Sequence, residues 1–434
     1  MKLRIAAGAA CAALTILVVP VSAASQAQVQ LSPTSDMAVR AVSDFYASRH
    51  GAPLWFKNGS ASAATEVIDV LRRASLDGFA SGPALAAQTQ ALLVRAQTGD
   101  PAALGAADRL LSSAWVQYVQ TLQTPPQGMT YADGWVKPRR DSAATILARA
   151  AAAPNLAAYV RGVAQVNPLY AQLRDAAWAA MQSSGGQLDP RVLASLDRAR
   201  DIPPQGRYVI VDTAGAQLYM IDNGRIVDSM KVIVGKDDPS TQTPMLASTI
   251  YYATLNPYWH VSADMVRSLI APNVLNMGMS YLKSRGYQVM PADPNDNSLL
   301  DPAKIDWRAV AAGRETVRVR QLPGPANSMG HIKFPFPNAS DLYLHDTPTK
   351  ALFNQDDRSL SHGCIRLEDA ERLGRWLMGR EPATASREPE QNVLLPDPVP
   401  IYITYLTAQV RADGQLSFVE DNYRLDDQSV ASLR

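Results

Sequence analysis

The chain has 434 residues, 47% of them apolar, and 41 Lys and Arg stand against 40 Asp and Glu. At roughly 150 residues per domain this is enough for two or three domains with real cores, which excludes a disordered or fibrous chain. The near balance of charge lacks the basic footprint of a nucleic-acid binder, so no nucleic-acid partner is expected.

The first residues carry Lys2 and Arg4, an apolar run to Val19, and the small-residue end Val21, Ser22, Ala23, the pattern of a secretory signal peptide over 1–23. An uncleaved anchor is the alternative, but the run is shorter than the roughly 20 apolar residues of a spanning helix and Pro20 ends it. Gly8 stands three positions before Cys11 where a lipidated cysteine calls for an aliphatic residue, so a lipoprotein is not expected. The chain has two cysteines; cleavage leaves Cys364 alone, which rules out an internal disulfide and puts a lone thiol in an oxidising compartment.

Residues 24–36 read as a polar linker. From Met37 to about Arg200 the chain is Ala- and Leu-rich with helical spacing, as in Leu110, Leu111, Ala114, Trp115, Tyr118 and Val119. Breaks at Gly51 to Pro53, Gly78 to Pro83, Thr124 to Gly128 and Pro138 cut it into helices of ordinary length. The expectation is a helical domain over 37–202, without chemistry of its own.

At Ile202 to Gly206 the pattern turns to strands. Tyr208–Asp212, Ala216–Ile221 and Ile226–Val234 are β-rich, the last two separated by the hairpin turn Asp222-Asn223-Gly224. Further strands are expected at Thr249–Leu255, Val317–Gln321, His331–Phe334, Asp341–His345 and Val399–Leu406. Between them 259–315 carries helical patterns at Ala263–Ile270 and Val274–Arg285 and a turn-rich stretch at 291–297. So long an excursion reads as a helical lid over the site, with local packing as the alternative. The fold expected is α+β and multidomain: a helical domain, then a β-rich domain over 203–408 with an inserted lid, and a C-terminal tail over 409–434.

The chemistry is concentrated in Tyr343-Leu-His345-Asp346 and, within twenty residues, Ser361-His362-Gly363-Cys364-Ile365-Arg366. Thiols attack as thiolates, so a nucleophilic Cys364 needs a base, and His345 can supply it. Gly363 permits close backbone approach, and the amides of Gly363 and Cys364, with His362, can face an oxyanion. The helical period Leu367, Ala370, Leu373, Leu377 predicts a helix just after Cys364, whose N-terminus lowers the thiol pKa while Arg366 adds positive charge. Singly, each residue has a duller reading: a core cysteine, a satisfied strand-end histidine, a solvated arginine. Their combination does not.

The stretch from His345 to Arg366 resembles the active-site signature of bacterial L,D-transpeptidases with a YkuD-type catalytic domain. Val232-Ile-Val-Gly235, Thr241-Gln-Thr-Pro244, Leu255-Asn-Pro-Tyr-Trp259, Lys333 to Asn338 and Val399 to Tyr405 resemble the larger periplasmic members, and Asp44 to Trp55 resembles their helical scaffold domain. Of the small peptidoglycan-binding module many members carry, only Gln187–Leu196 gives a hint, and close-looking members have Ser in place of His362.

The resemblance implies a periplasmic enzyme whose partners are peptidoglycan stems, a donor tetrapeptide and an acceptor, with other wall synthases as a further partner class. It implies Cys364 as nucleophile, His345 as base, and Ser361, His362, Gly363, Arg366, Tyr343 and Asp346 as oxyanion or substrate contacts, with Arg358 a weaker carboxylate ligand. It needs no cofactor and no metal, and it implies a carbapenem target. Asp346 or a nearby carbonyl orients His345. Three alternatives stand beside it: the same thioester resolved by water or a lipoprotein lysine, a zinc hydrolase built from His345, His362 and Cys364 with His331 or His260, and a silent wall-binding scaffold. His50, His260 and His331 read as structural.

Overall fold

A computed structural model describes residues 33–57, 61–203, 205–382 and 388–426. The expected signal peptide, 1–23, lies outside the described residues, as does most of the expected linker. The first helix, α1 (Pro33–Ser48), already begins inside that linker.

Seven further helices follow: α2 (Ser62–Arg73), α3 (Gly82–Gln97), α4 (Ala103–Leu122), α5 (Ala143–Ala152), α6 (Leu156–Gln165), α7 (Pro168–Ser183) and α8 (Pro190–Ala199). The side chains of Ser142, Asn155, Asn167 and Asp189 accept the exposed amides at the starts of α5 to α8, which is why those helices begin where they do. The aromatic stretch 44–55 is held by one carboxylate. Asp108 of α4 accepts from the amides of Leu54 (3.0 Å) and Trp55 (2.8 Å) and from the Tyr46 hydroxyl (2.5 Å). Ser112 one turn on bonds Trp55 Nε1 at 2.9 Å.

The second half is a barrel. Its strands are β2 (Arg207–Asp212), β3 (Gln217–Asp222), β4 (Arg225–Gly235), β5 (Leu246–Leu255), β9 (Ile332–Pro335), β10 (Tyr343–His345), β12 (Ile365–Leu367) and β13 (Gln391–Thr404). They run in the order β5-β13-β2-β3-β4-β12-β10-β9, and β9 pairs back onto β5 through Thr254 with Lys333 and Leu255 with Ile332, closing the ring. Closure removes the open edge a sheet would otherwise expose. A short β1 (Thr130–Tyr131), from the helical half, adds to the far end of β5, and β11 (Ser359–Ser361) adds to β4. The turn between β3 and β4 has both central residues, Asn223 and Gly224, at positive φ (46° and 77°), the geometry that matches strand twist in a two-residue hairpin.

Strand β2 is buried on both faces. Val209 and Val211 face the barrel core, while Tyr208 and Ile210 join a second cluster with Val136 and Ile202 of the connecting segments. This explains a near-continuous apolar run where alternation would mark a solvated face. Helix α9 (Ala370–Met378) places Ala370, Leu373, Leu377 and Met378 in the barrel core.

The excursion after β5 differs from the helical lid expected. It is a small α+β unit with its own core, including Trp259, Val266, Ile270, Trp307 and Val319. Its sheet is β6 (Trp259–Val261), β7 (Tyr287–Met290) and β8 (Arg318–Gln321), with β8 central and antiparallel to both. The strand expected at Val317–Gln321 therefore belongs to the insert, beyond residue 315. The expected helix Val274–Arg285 is split at Gly278, whose φ of 73° ends one helical run before Ser280–Ser284 begins another.

Up to residue 426 the C-terminal stretch is no free tail. Strands β14 (Ala408–Val410) and β15 (Leu416–Phe418) form a hairpin against α7 and α8, and Arg198 of α8 reaches the Asp426 carboxylate at 2.7 Å and the Tyr405 carbonyl at 3.1 Å. The stretch Gln187–Leu196, the one hint of a wall-binding module, leads into α8 and supplies part of this junction.

Asp108→Ala strands two buried amides, those of Leu54 and Trp55, while the Tyr46 hydroxyl keeps Ser112 and the residue 108 carbonyl. At about 1–3 kcal/mol for each unsatisfied group, the helical half should lose at least about 2 kcal/mol, read by urea unfolding followed by tryptophan fluorescence. An unchanged midpoint would show that Asp108 does not organise the 44–55 segment.

Candidate active site

Leu344 on β10 and Ile365 on β12 are fully buried in the barrel core, so side chains one residue away on either strand face outward. The two strands are parallel neighbours with Leu344 opposite Ile365 and His345 opposite Arg366. This register sets Tyr343 beside Cys364 and His345 beside Arg366, all four on one face. Tyr343 also packs against the core of the insert, so the insert abuts this face at Tyr343.

Cys364 is partly exposed and is the one free cysteine among the described residues. Its thiol lies 3.9 Å from the Asp341 carbonyl, the acceptor it faces. Burial pushes the thiol pKa up; neighbouring Tyr343 and the charge of Arg366 pull it back without cancelling that effect. Burial likewise raises the Tyr343 phenol.

His345 is 2% exposed. Its Nδ1 lies 2.6 Å from the Asp346 carbonyl oxygen. A carbonyl can only accept, so Nδ1 carries the proton and Nε2 presents its lone pair, the tautomer a general base requires. Burial, reinforced by the charge of Arg366, lowers its pKa to about 3, which keeps the ring neutral at pH 7. The backbone carbonyl of Asp346, and not its carboxylate, is thus the orienting group. That carboxylate takes the His331 amide (3.0 Å) and Lys350 Nζ (2.7 Å). Lys350 also holds the carbonyls of Glu368 (2.8 Å) and Leu367 (3.2 Å), tying the ends of β10 and β12 together.

The turn before Cys364 is held internally. Ser361, 2% exposed, donates its hydroxyl to the Cys364 carbonyl at 2.6 Å and accepts the Gly363 amide at 3.1 Å. Both groups are therefore occupied, and of the two amides expected to face an oxyanion only that of Cys364 is without an acceptor among the described residues. Gly363 has φ +107°, a conformation that disfavours a side chain. Its carbonyl accepts from the Thr243 hydroxyl at 2.7 Å. His362 is exposed at the mouth, its ring kept neutral by partial burial and by the charges of Lys236 and Arg366.

Arg366 makes no ion pair or hydrogen bond among the described residues, and it is a half-buried cation beside the sulfur. An uncommitted guanidinium there suits a carboxylate. Arg358, the other candidate, is spent on the protein: its guanidinium reaches the carbonyls of Val232, Gly215, Ala216, Gln355 and Asp356. Among the described residues no three His, Cys, Asp or Glu side chains gather as a metal ligand set.

Residues 206–401 match the family of L,D-transpeptidase catalytic domains known as YkuD, and residues 40–176 match the family described as the Scaffold domain. Residues 206–401 thus belong to the L,D-transpeptidase catalytic-domain family. It is similar to a curated protein of Haemophilus influenzae, named provisionally as an L,D-transpeptidase, at 25% identity over 393 residues, or 88% of this chain and 77% of the relative. A crystal structure of the L,D-transpeptidase from Xylanimonas cellulosilytica aligns with 54% of this chain and 79% of its own at 15% identity, with a TM-score of 0.18.

One expectation for the L,D-transpeptidase site is corrected. The thiol does not sit at a helix N-terminus: β12 intervenes, and α9 starts only at Ala370, capped by the side chain of Asp369. Leu367, assigned to the helix by its spacing, is a core residue of β12. Without the helix dipole, burial decides the thiol pKa. Lys350 and Thr243 had no assigned role from the sequence, since the contacts that give them one reach up to 120 residues along the chain.

Because burial holds the thiol protonated, alkylation of Cys364 by iodoacetamide should rise with pH to an inflection above the ordinary thiol value of 9.0. The rate is low below that inflection because the neutral thiol is the unreactive form. A plateau already reached near neutral pH would reveal a preformed thiolate and contradict this electrostatic balance.

Proposed function

We propose that this L,D-transpeptidase forms cross-links between the third residues of two peptidoglycan stems through a thioester on Cys364. The observation that carries the reading is the row Tyr343, His345, Cys364, Arg366 on one face of the family's catalytic domain, with Tyr343 against the insert. The neutral, Nδ1-protonated His345 supports the role of base, and the uncommitted Arg366 supports binding of a substrate carboxylate.

The reaction runs in two halves. As the donor tetrapeptide binds, the thiol proton passes to His345 Nε2 and the sulfur attacks the carbonyl carbon of the third residue. The oxyanion is met by the Cys364 amide. Collapse breaks the amide bond to the terminal D-alanine, whose nitrogen takes the proton from His345, leaving a thioester. The acceptor stem's amine then gives a proton to His345, attacks the thioester carbonyl, and releases the thiol, which recovers that proton. Water or a lipoprotein lysine in place of the amine gives hydrolysis or protein anchoring by the same steps. The reading places the enzyme in the periplasm, exported by the N-terminal signal.

Cys364→Ala should abolish formation of cross-linked dimer from disaccharide-tetrapeptide, with folding retained. Wild-type protein incubated with a carbapenem should gain one drug mass, mapped to Cys364. Undiminished dimer formation by Cys364→Ala, or an adduct mapped elsewhere, would defeat the thioester reading, and tripeptide in place of dimer would assign water as acceptor.

A further inference from the structure

The stretch beyond the matched catalytic domain contains a tyrosine whose contacts end at the nucleophile's turn. Tyr423 is 6% exposed, and its ring stacks on Tyr405 with centroids 5.2 Å apart and planes within 14°. Its amide donates to the Tyr405 hydroxyl at 2.9 Å. Its own hydroxyl donates to the Gly235 carbonyl at 2.6 Å and accepts from the Thr243 amide at 3.4 Å.

Both of these partners touch the turn that carries Cys364. The Thr243 hydroxyl accepts the Gly235 amide at 2.9 Å and donates to the Gly363 carbonyl at 2.7 Å. Gly235 pairs with Ser361, the residue that closes the turn from the other side. The packing here leaves no slack, for a Cβ on Gly235 would lie 2.0 Å from the Thr241 carbonyl. In a trans peptide the carbonyl and the following amide point in opposite directions. Fixing the Gly363 oxygen on Thr243 therefore turns the Cys364 amide to the opposite side of that peptide plane, free of any described acceptor.

We propose that Tyr423 is a positioning residue for acyl transfer: through Gly235 and Thr243 it sets the Gly363–Cys364 peptide plane, and with it the amide that receives the oxyanion. The inference rests on the cysteine acyl-transfer reading above. It makes a segment outside the matched catalytic domain, which ends at residue 401, part of the working site.

The test compares two reactions of the same sulfur in the purified full chain. Acylation by a carbapenem builds an oxyanion; alkylation by iodoacetamide does not. Tyr423→Phe keeps the stacked ring and removes only the hydroxyl, and it should slow acylation about tenfold, less than the loss of an oxyanion donor itself, while alkylation stays within about twofold of wild type. Thr243→Val should show the same split, which gives a reading even where one variant folds poorly, and Thr243→Ser, which keeps the hydroxyl, should restore most of the acylation rate. Unchanged acylation in Tyr423→Phe and Thr243→Val overturns the proposal, and so does an equal fall in both reactions, which marks a general loosening. If wild-type Cys364 is not acylated at all, the transpeptidase reading itself has failed; normal wild-type acylation beside an unaffected Tyr423→Phe defeats only the role of Tyr423.

Discussion

The parallel pairing of β10 with β12 is the constraint on which the site depends. With Leu344 opposite Ile365 and His345 opposite Arg366, alternation sends two apolar side chains into the barrel and the four polar ones outward. A slip of one residue would bury His345 in the core and lift Leu344 to the surface, so the same apolar contacts that stabilise the barrel also fix the chemistry. Barrel closure protects this pairing. The ladder from β9 to β5 leaves neither β9 nor β10 as an edge strand, and Lys350 ties the ends of β10 and β12 together.

Burial dominates the electrostatics of that face. It raises the thiol and depresses the imidazole, and the nearby charge of Arg366 opposes the first shift while adding to the second. Moving a histidine from 6.5 to about 3 costs on the order of 5 kcal/mol against protonating the isolated ring. The resting site is accordingly a neutral pair. A neutral thiol is the less reactive form, which restrains Cys364 from reacting with oxidants.

Features encoded locally were legible in the sequence, and those made by distant contacts were not. That His345, Gly363 and Cys364 belong together could be read because they lie within twenty residues, and the β10–β12 register brings their strands side by side. The hairpin at Asn223-Gly224 was readable because those residues favour positive φ. The helix thought to start behind Cys364 was misplaced because Leu367 fits a helical period and a buried strand equally well. The insert read as helical because its three strands are short and scattered, with β8 separated from β6 by more than fifty residues. Arg358 looked available for substrate until the fold surrounded it with carbonyls. Asp426 and Tyr423, in a segment read as a tail, gain their partners only when β14 and β15 dock on the scaffold helices.

The resting His345 side chain is a neutral imidazole protonated on Nδ1 by virtue of the Asp346 carbonyl. Nitrogen-15 NMR of histidine-labelled protein, with the His345 signal assigned by its loss in His345→Gln, observes this directly. At pH 7 the account requires one protonated nitrogen, Nδ1, bonded to the carbonyl, and an unprotonated Nε2, with no change until well below pH 6.5. An imidazolium at pH 7, or a proton on Nε2 in place of Nδ1, would contradict it.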